Sequence, residues 1–148
     1  MRKINAVDQM REIGRKIGAQ LRGGDLVVLS GGLGAGKTAF TQGIGSALGI
    51  TNVTSPTFVI SRIHNGRIPL IHVDAYRLIP SQQRDFEFDD LDIEMGRSEA
   101  IIVIEWGSDV AIRLSDEYPT INIEFGEGEN ERIISFSGVG KRWENFSL

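Results

Sequence analysis

Cysteine is absent from the 148 residues. Disulfides and thiolate metal sites are therefore excluded, and a reducing, cytoplasmic setting is the expectation. Long apolar runs are absent too. Nothing approaches the roughly 18 consecutive apolar residues that a membrane-spanning helix needs. The first 21 residues lack the apolar core of a signal peptide, because charges recur at Arg2, Lys3, Asp8, Arg11, Glu12, Arg15 and Lys16. Histidine is scarce, with His64 and His72 alone, and no H-x-x-x-H spacing suggests zinc. Basic charge is in deficit. The net charge is −4, whereas a domain that grips nucleic acid by itself is usually basic. Internal repeats and linkers are missing, so residues 1–148 are read as one domain.

What is present suffices for a globular core: 41% hydrophobic and 24% charged residues. Met10, Ile13, Ile17 and Leu21 recur at helical spacing, predicting an amphipathic helix over 6–21 that Gly14 and Gly18 weaken slightly. Leu26 to Leu29 reads as a strand buried on both faces. From Lys37, the residues Phe40, Ile44, Ala47 and Leu48 return to helical spacing, with Gly49 placed to end the helix. Thr57 to Ile63 and Arg67 to Val73 predict a hairpin turned at Asn65-Gly66, a pair that tolerates the positive φ of a type I′ turn. Ser81 to Met95 is acidic and fits a helix and a loop. Ile101 to Ile104 predicts a second buried strand, and Asp109 to Leu114 a short helix. Thr120 to Phe125 and Arg132 to Phe136 predict another hairpin around Gly126-Glu127-Gly128, and the last residues either form a short helix or fray. The order is α/β, and two hairpins require a mixed parallel and antiparallel sheet flanked by helices.

Between the first strand and the second helix lies S-G-G-L-G-A-G-K-T, residues 30–38. Gly31, Gly36, Lys37 and Thr38 satisfy G-x-x-x-x-G-K-[ST], the P-loop. Glycines let consecutive backbone N–H groups converge on an anion with no Cβ in the way. The helix that begins near Gly36 aims its positive dipole end at the same place. Lys37 can then reach the β- and γ-phosphates, and the Thr38 hydroxyl can ligate Mg²⁺. The plain alternative is a flexible loop, but the flanking strand and helix are the context that the motif requires.

Binding a nucleotide does not select a reaction. A carboxylate near the metal is also needed. Glu105 ends the apolar run 101–104, which is the Walker B arrangement; otherwise it is a solvated strand-end glutamate. Asp74 ends the run Leu70 to Val73 and is the second candidate, for the metal's water shell or for orienting attacking water; otherwise it is a turn aspartate. His72 lies two residues earlier on the same strand face and reads as a packing or hydrogen-bonding residue. Thr54-Ser55-Pro56-Thr57 is either a γ-phosphate sensor or a proline-fixed strand entry. Trp106 packs beside a nucleotide or partner, or belongs to the core.

L-G-A-G-K-T at 33–38, S-P-T-F at 55–58, H-V-D-A-Y-R-L at 72–78 and I-E-W-G at 104–107 together resemble the TsaE (YjeE) family. The resemblance covers nearly the whole chain and implies a P-loop NTPase-like fold. It implies a weak ATPase of tRNA threonylcarbamoyladenosine biosynthesis, using ATP and Mg²⁺ and working with TsaD and its paralogue TsaB. That assembly modifies the adenosine beside the anticodon, so tRNA is met only within the complex. By the same resemblance Leu33, Gly34, Ala35, Gly36, Lys37 and Thr38 hold the phosphates, Thr38 and Glu105 ligate Mg²⁺, Asp74 serves hydrolysis and Trp106 lies by the nucleotide. Further contacts fall near Val7 and Gly128. Gly32 stands where the family often has an acid.

Two rival activities and one binding role compete with this reading. A small-molecule P-loop kinase needs a second pocket and an arginine-bearing lid, and no arginine cluster is visible. A GTPase switch needs N-K-x-D and D-x-x-G, which are absent. A nucleotide-dependent binding module with little turnover shares the same motifs.

Overall fold

In a computed structural model of the chain, residues 2–32, 34–51, 53, 61–74, 100–105 and 117–144 are described, with Ser61, Arg62 and Asp74 as backbone only. Among them the elements are β1 (Arg2–Ile4), α1 (Val7–Gly18), β2 (Leu26–Gly31), α2 (Lys37–Ala47), β3 (Ser61–His64), β4 (Leu70–Asp74), β5 (Ile101–Glu105), β6 (Tyr118–Phe125) and β7 (Arg132–Val139). A 3₁₀ turn follows at Lys141–Trp143. The described strands form one seven-stranded sheet in the order β1-β7-β6-β2-β5-β4-β3. Its centre is parallel, β6-β2-β5-β4, and both margins are antiparallel. The α/β, mixed-sheet expectation holds.

The parallel centre explains its own sequence. A parallel strand is covered on both faces and reads as an unbroken apolar run. Leu26, Val27, Val28 and Leu29 are all buried, as are Ile101 to Ile104. Val27, Leu29, Val103, Ile121 and Ile134 share one core with Met10, Ile13 and Ile17 of α1 and Phe40 and Ile44 of α2. Burying each such side chain contributes roughly 1.5–3 kcal/mol.

The two helices meet backbone to backbone. A Cβ on Gly14 would lie 2.2 Å from the Phe40 carbonyl oxygen, and one on Gly43 would lie 2.1 Å from that of Arg11. Gly14, which weakens α1 as an isolated helix, is what lets α2 approach it. The C-terminus of α2 follows the sequence closely. Gly49 has φ +79°, its N–H donates to Ser46 O, and Ile50 N–H donates to Gly45 O, which together make a Schellman motif.

One sequence expectation is corrected. Asn65-Gly66 is not a two-residue hairpin turn. His64 pairs with Leu70, so the connection is five residues, 65–69, and Gly66 does not have positive φ. Two forces explain the difference. A two-residue turn would put Pro69, which has no N–H, inside the ladder. The connection also docks on the end of α2, with Arg67 N–H donating to Leu48 O at 2.9 Å and its guanidinium to Ala47 O at 3.0 Å. Gly66 is there for closeness, since a Cβ would stand 2.7 Å from Leu48 O. Strand β1 is an addition that no periodicity announced: three residues pairing antiparallel with β7. The segments 81–95 and 109–114, and the strand start at 57–60, lie outside the described residues.

Candidate functional site at the carboxyl ends of the parallel strands

β2, β4, β5 and β6 run parallel, so their carboxyl ends share one edge of the sheet. The chain leaves β2 for α2 and then the β3–β4 pair, and β5 is inserted between β2 and β4. Crevices outside such carboxyl ends are where open α/β sheets bind ligands. The glycine stretch leaves β2 at this edge. Gly34 and Gly36 have φ of +80° and +118°, and Gly36 is the N-cap of α2. The first turn of α2 therefore begins with backbone N–H groups that have no carbonyl within the helix to pair with, at the positive end of the helix dipole.

Lys37 is the first residue of α2 and only 7% exposed. Its Nζ donates to Gly31 O at 2.8 Å and Gly32 O at 3.2 Å, which folds the ammonium back across the loop. The buried Thr41 hydroxyl donates to Lys37 O at 2.9 Å. Thr38 follows and is half-buried, and Ala35 is buried.

Glu105 is the last residue of β5 and 6% exposed. Its Cα is in register with Leu29 of β2 and with Asp74 of β4. The two predicted acids thus end neighbouring strands at one level, although they are 31 positions apart in sequence. His72, fully buried, holds Nε2 2.7 Å from Glu105 Oε2. The reading of His72 as a hydrogen-bonding residue stands, and its partner is the Walker B candidate.

Thr38 and Glu105 are the groups that could hold a metal ion here. Among the described residues no three His, Cys, Asp or Glu side chains gather into a cage. Mg²⁺ bound with phosphates needs only one or two protein oxygens and keeps several waters. A hydroxyl at Thr38 and a carboxylate at Glu105 fit that demand.

Beside the glycine stretch opens a cavity of about 310 Å³, lined by Val7, Met10, Gly34, Ala39, Asn130 and Arg132 among others. Its walls come from the start of α1, the loop and the β6–β7 connection. Arg132 ties these together. Its Nε donates to Ala35 O at 3.2 Å, its Nη1 to Glu129 O and Glu131 O, and its guanidinium lies 4.5 Å from the Phe125 ring centroid.

Comparison with known proteins agrees with this geometry. Residues 4–134 match the family model described as threonylcarbamoyl adenosine biosynthesis protein TsaE. The chain belongs to the TsaE family. It is 44% identical over 141 residues to the tRNA threonylcarbamoyladenosine biosynthesis protein TsaE of Streptomyces coelicolor, covering 90% of this chain and 93% of that one. To the protein of the same name from Bacillus subtilis it is 37% identical over 139 residues, covering 93% and 84%. The crystal structure of Bacillus subtilis YdiB superposes with a TM-score of 0.73 at 29% identity, covering 96% of this chain and 86% of that one.

Set against this TsaE-family frame, the sequence-predicted residues divide. Gly34, Ala35, Gly36, Lys37 and Thr38 lie together at the β2–α2 junction, with Glu105 and the Asp74 backbone at the same sheet edge. Val7 lines the cavity; Gly128 sits exposed in the β6–β7 connection and does not, while Asn130 and Arg132 from that connection do. Leu33, Trp106, the Asp74 side chain and the 54–57 hydroxyls lie outside the described residues. Sequence reasoning missed Arg132 and His72 as site residues. The H-x-D spacing was the available signal for His72, since it puts both residues on one strand face. Arg132 offered none, because its target is 97 positions away.

Proposed function

We propose that this TsaE-family chain binds MgATP at the carboxyl edge of β2, β5 and β4 and hydrolyses it slowly, as the ATP-dependent subunit of tRNA threonylcarbamoyladenosine biosynthesis. The observation that carries this reading is Lys37, folded across the Gly31 and Gly32 carbonyls at the mouth of α2, where the chain leaves β2, the strand whose Leu29 is in register with Glu105. The amides from Gly34 to Thr38 would cradle the phosphates, and Lys37 would exchange its two carbonyls for phosphate oxygens. Thr38 and Glu105 would hold Mg²⁺ directly or through its water. When bound, Mg²⁺ neutralises charge developing on the phosphates. Asp74, ending the next strand, would orient the attacking water. The 310 Å³ cavity beside Gly34 is of a size for the base.

Turnover is proposed to depend on partners, TsaD and TsaB, with tRNA met inside their assembly. A chain of 148 residues with no arginine cluster leaves water exclusion and transition-state charge stabilisation to be completed from outside. The net charge of −4 argues against gripping tRNA alone. The relatives are named for tRNA threonylcarbamoyladenosine biosynthesis, which supports the assignment to that process. Because the chain has no cysteine and no described helix long and apolar enough to cross a membrane, the cytoplasm is the proposed location.

The experiment is calorimetric titration of MgATP into the wild type and Lys37→Ala, followed by hydrolysis assays with TsaB, TsaD and tRNA added in turn. Losing a charge-assisted contact of about 1.5–3 kcal/mol predicts an affinity weaker by about 10- to 150-fold. Stepwise acceleration by the partners is the expected kinetic result. Unchanged affinity in folded Lys37→Ala removes the nucleotide reading. A fast rate indifferent to every addition removes the partner reading and favours a free-standing kinase or phosphohydrolase.

A further inference from the structure

We propose that His72 is a positioning residue that sets the carboxylate of Glu105 for Mg²⁺, through a hydrogen bond from its Nε2 to Glu105 Oε2. The inference rests on the reading of Glu105 as the carboxylate serving the metal, and it assigns a role to a residue that reading leaves idle.

Packing alone does not account for a histidine here. His72 pairs with Val103 on β5, which in turn pairs with Val27 on β2, and both valines belong to the apolar core. His72 itself is fully buried. An imidazole in such surroundings is costly unless hydrogen-bonded, and an aliphatic side chain would fill the position without that cost. Among the described residues its ring makes one hydrogen bond, to Glu105 at 2.7 Å, and Nδ1 has no partner. The unpartnered Nδ1 fixes the direction of that bond. A proton on Nδ1 would be a buried donor with no acceptor, so the tautomer that fits carries it on Nε2 and donates to the carboxylate. Glu105 is thereby held by one oxygen and keeps Oε1 for the metal side.

The strands make the contact rigid. Glu105 lies two residues beyond Val103 on a parallel strand, so it shares the face of His72 and sits diagonally ahead of it. Both backbones are locked in ladders in the sheet's parallel centre. A glutamate at a strand end otherwise samples several rotamers and must lose that freedom on metal binding. Groups that orient a metal-serving carboxylate typically change metal affinity by about 10- to 100-fold.

The test compares His72→Gln, His72→Asn and His72→Phe with the wild type and Glu105→Gln. Gln places an amide N–H near the Nε2 position; Asn is too short to reach Oε2; Phe keeps a ring and donates nothing. The readouts are the Mg²⁺ concentration for half-maximal ATP binding by calorimetry, ATP affinity in EDTA, and the melting temperature without ligand. His72→Asn and His72→Phe are expected to raise the Mg²⁺ midpoint about 10-fold or more, with EDTA affinity unchanged. His72→Gln should stay within about 3-fold of the wild type, since it restores the donor. If His72→Phe does not fold, the contrast between Asn and Gln decides alone. Equal Mg²⁺ midpoints for Asn, Gln and wild type, with Glu105→Gln shifted, overturn the role of His72 and leave the metal reading intact. A Glu105→Gln midpoint equal to the wild type overturns the metal reading itself.

Discussion

The α1–α2 crossing and the β2–α2 loop are both built on glycine, for opposite reasons. At the crossing there is no room. A Cβ on Gly43 would sit 2.1 Å from Arg11 O and 2.9 Å from Arg15 N, both backbone atoms that cannot swing aside. In the loop the issue is the backbone itself. Gly34 has nothing within 4 Å of its missing Cβ, and Gly36 meets only the flexible Met10 end, at 2.9 Å, but both have positive φ. One set of glycines sets the distance between two helices, and the other sets the direction of N–H groups. The first should govern stability and the second ligand binding.

The largest break in that comparison comes from Gly43→Ala. In an isolated helix the substitution would stabilise by about 1 kcal/mol. Here the added methyl meets backbone, so α1 and α2 must separate, and overpacking of this kind costs about 3 kcal/mol. The expected net loss is about 2 kcal/mol, or about 6 °C in melting temperature for a chain of this size. Differential scanning calorimetry measures it. A melting point equal to or above the wild type would mean that the helices do not approach as closely as described.

Gly36→Ala sharpens the other side. No backbone atom stands near the new methyl, yet an alanine at φ +118° is strained by about 1–3 kcal/mol. The loop can relieve that strain by rotating the Gly36 N–H and the first turn of α2 away from their present direction. The expectation is a stability loss of about 1 kcal/mol, smaller than for Gly43→Ala, with a fall in ATP affinity of about 10-fold. Parallel calorimetric and thermal measurements test it. Unchanged ATP binding would separate the amides of this loop from the phosphate site.

What could be read from sequence followed the range of the interaction. The strand, glycine loop and helix at 26–48, and the carboxylate closing 101–105, are contiguous patterns, and the structure reproduces them. The Gly49 cap was legible because a Schellman motif closes within six residues. The Asn65-Gly66 turn failed because the end of α2 outbids a local preference, through Arg67 and the space reserved at Gly66. β1 is three residues of an edge strand, Arg2-Lys3-Ile4, with one buried side chain, too little for any period to register. The His72–Glu105 pair needed the order of strands, because only the insertion of β5 beside β4 brings residues 33 apart into contact. Arg132 is the same case, reaching from β7 to the Ala35 carbonyl.

The smallest effect is assigned to Gly49→Ala, which serves as the control for both arms. Like Gly36, Gly49 has positive φ, at +79°, and like Gly34 it has open space where a Cβ would go. It lies at the opposite end of α2 from the glycine stretch, so its strain does not reach the N–H groups at the start of that helix. An alanine there pays only the left-handed backbone penalty of about 1 kcal/mol, or about 3 °C. Gly49→Asn should recover part of it, because asparagine tolerates that conformation better than alanine. ATP affinity should match the wild type within about 2-fold for both variants, since no contact near the site changes. If Gly49→Ala weakened ATP binding as much as Gly36→Ala, the loss at Gly36 would reflect general loosening of α2. Its φ would then have no special part in aiming the loop.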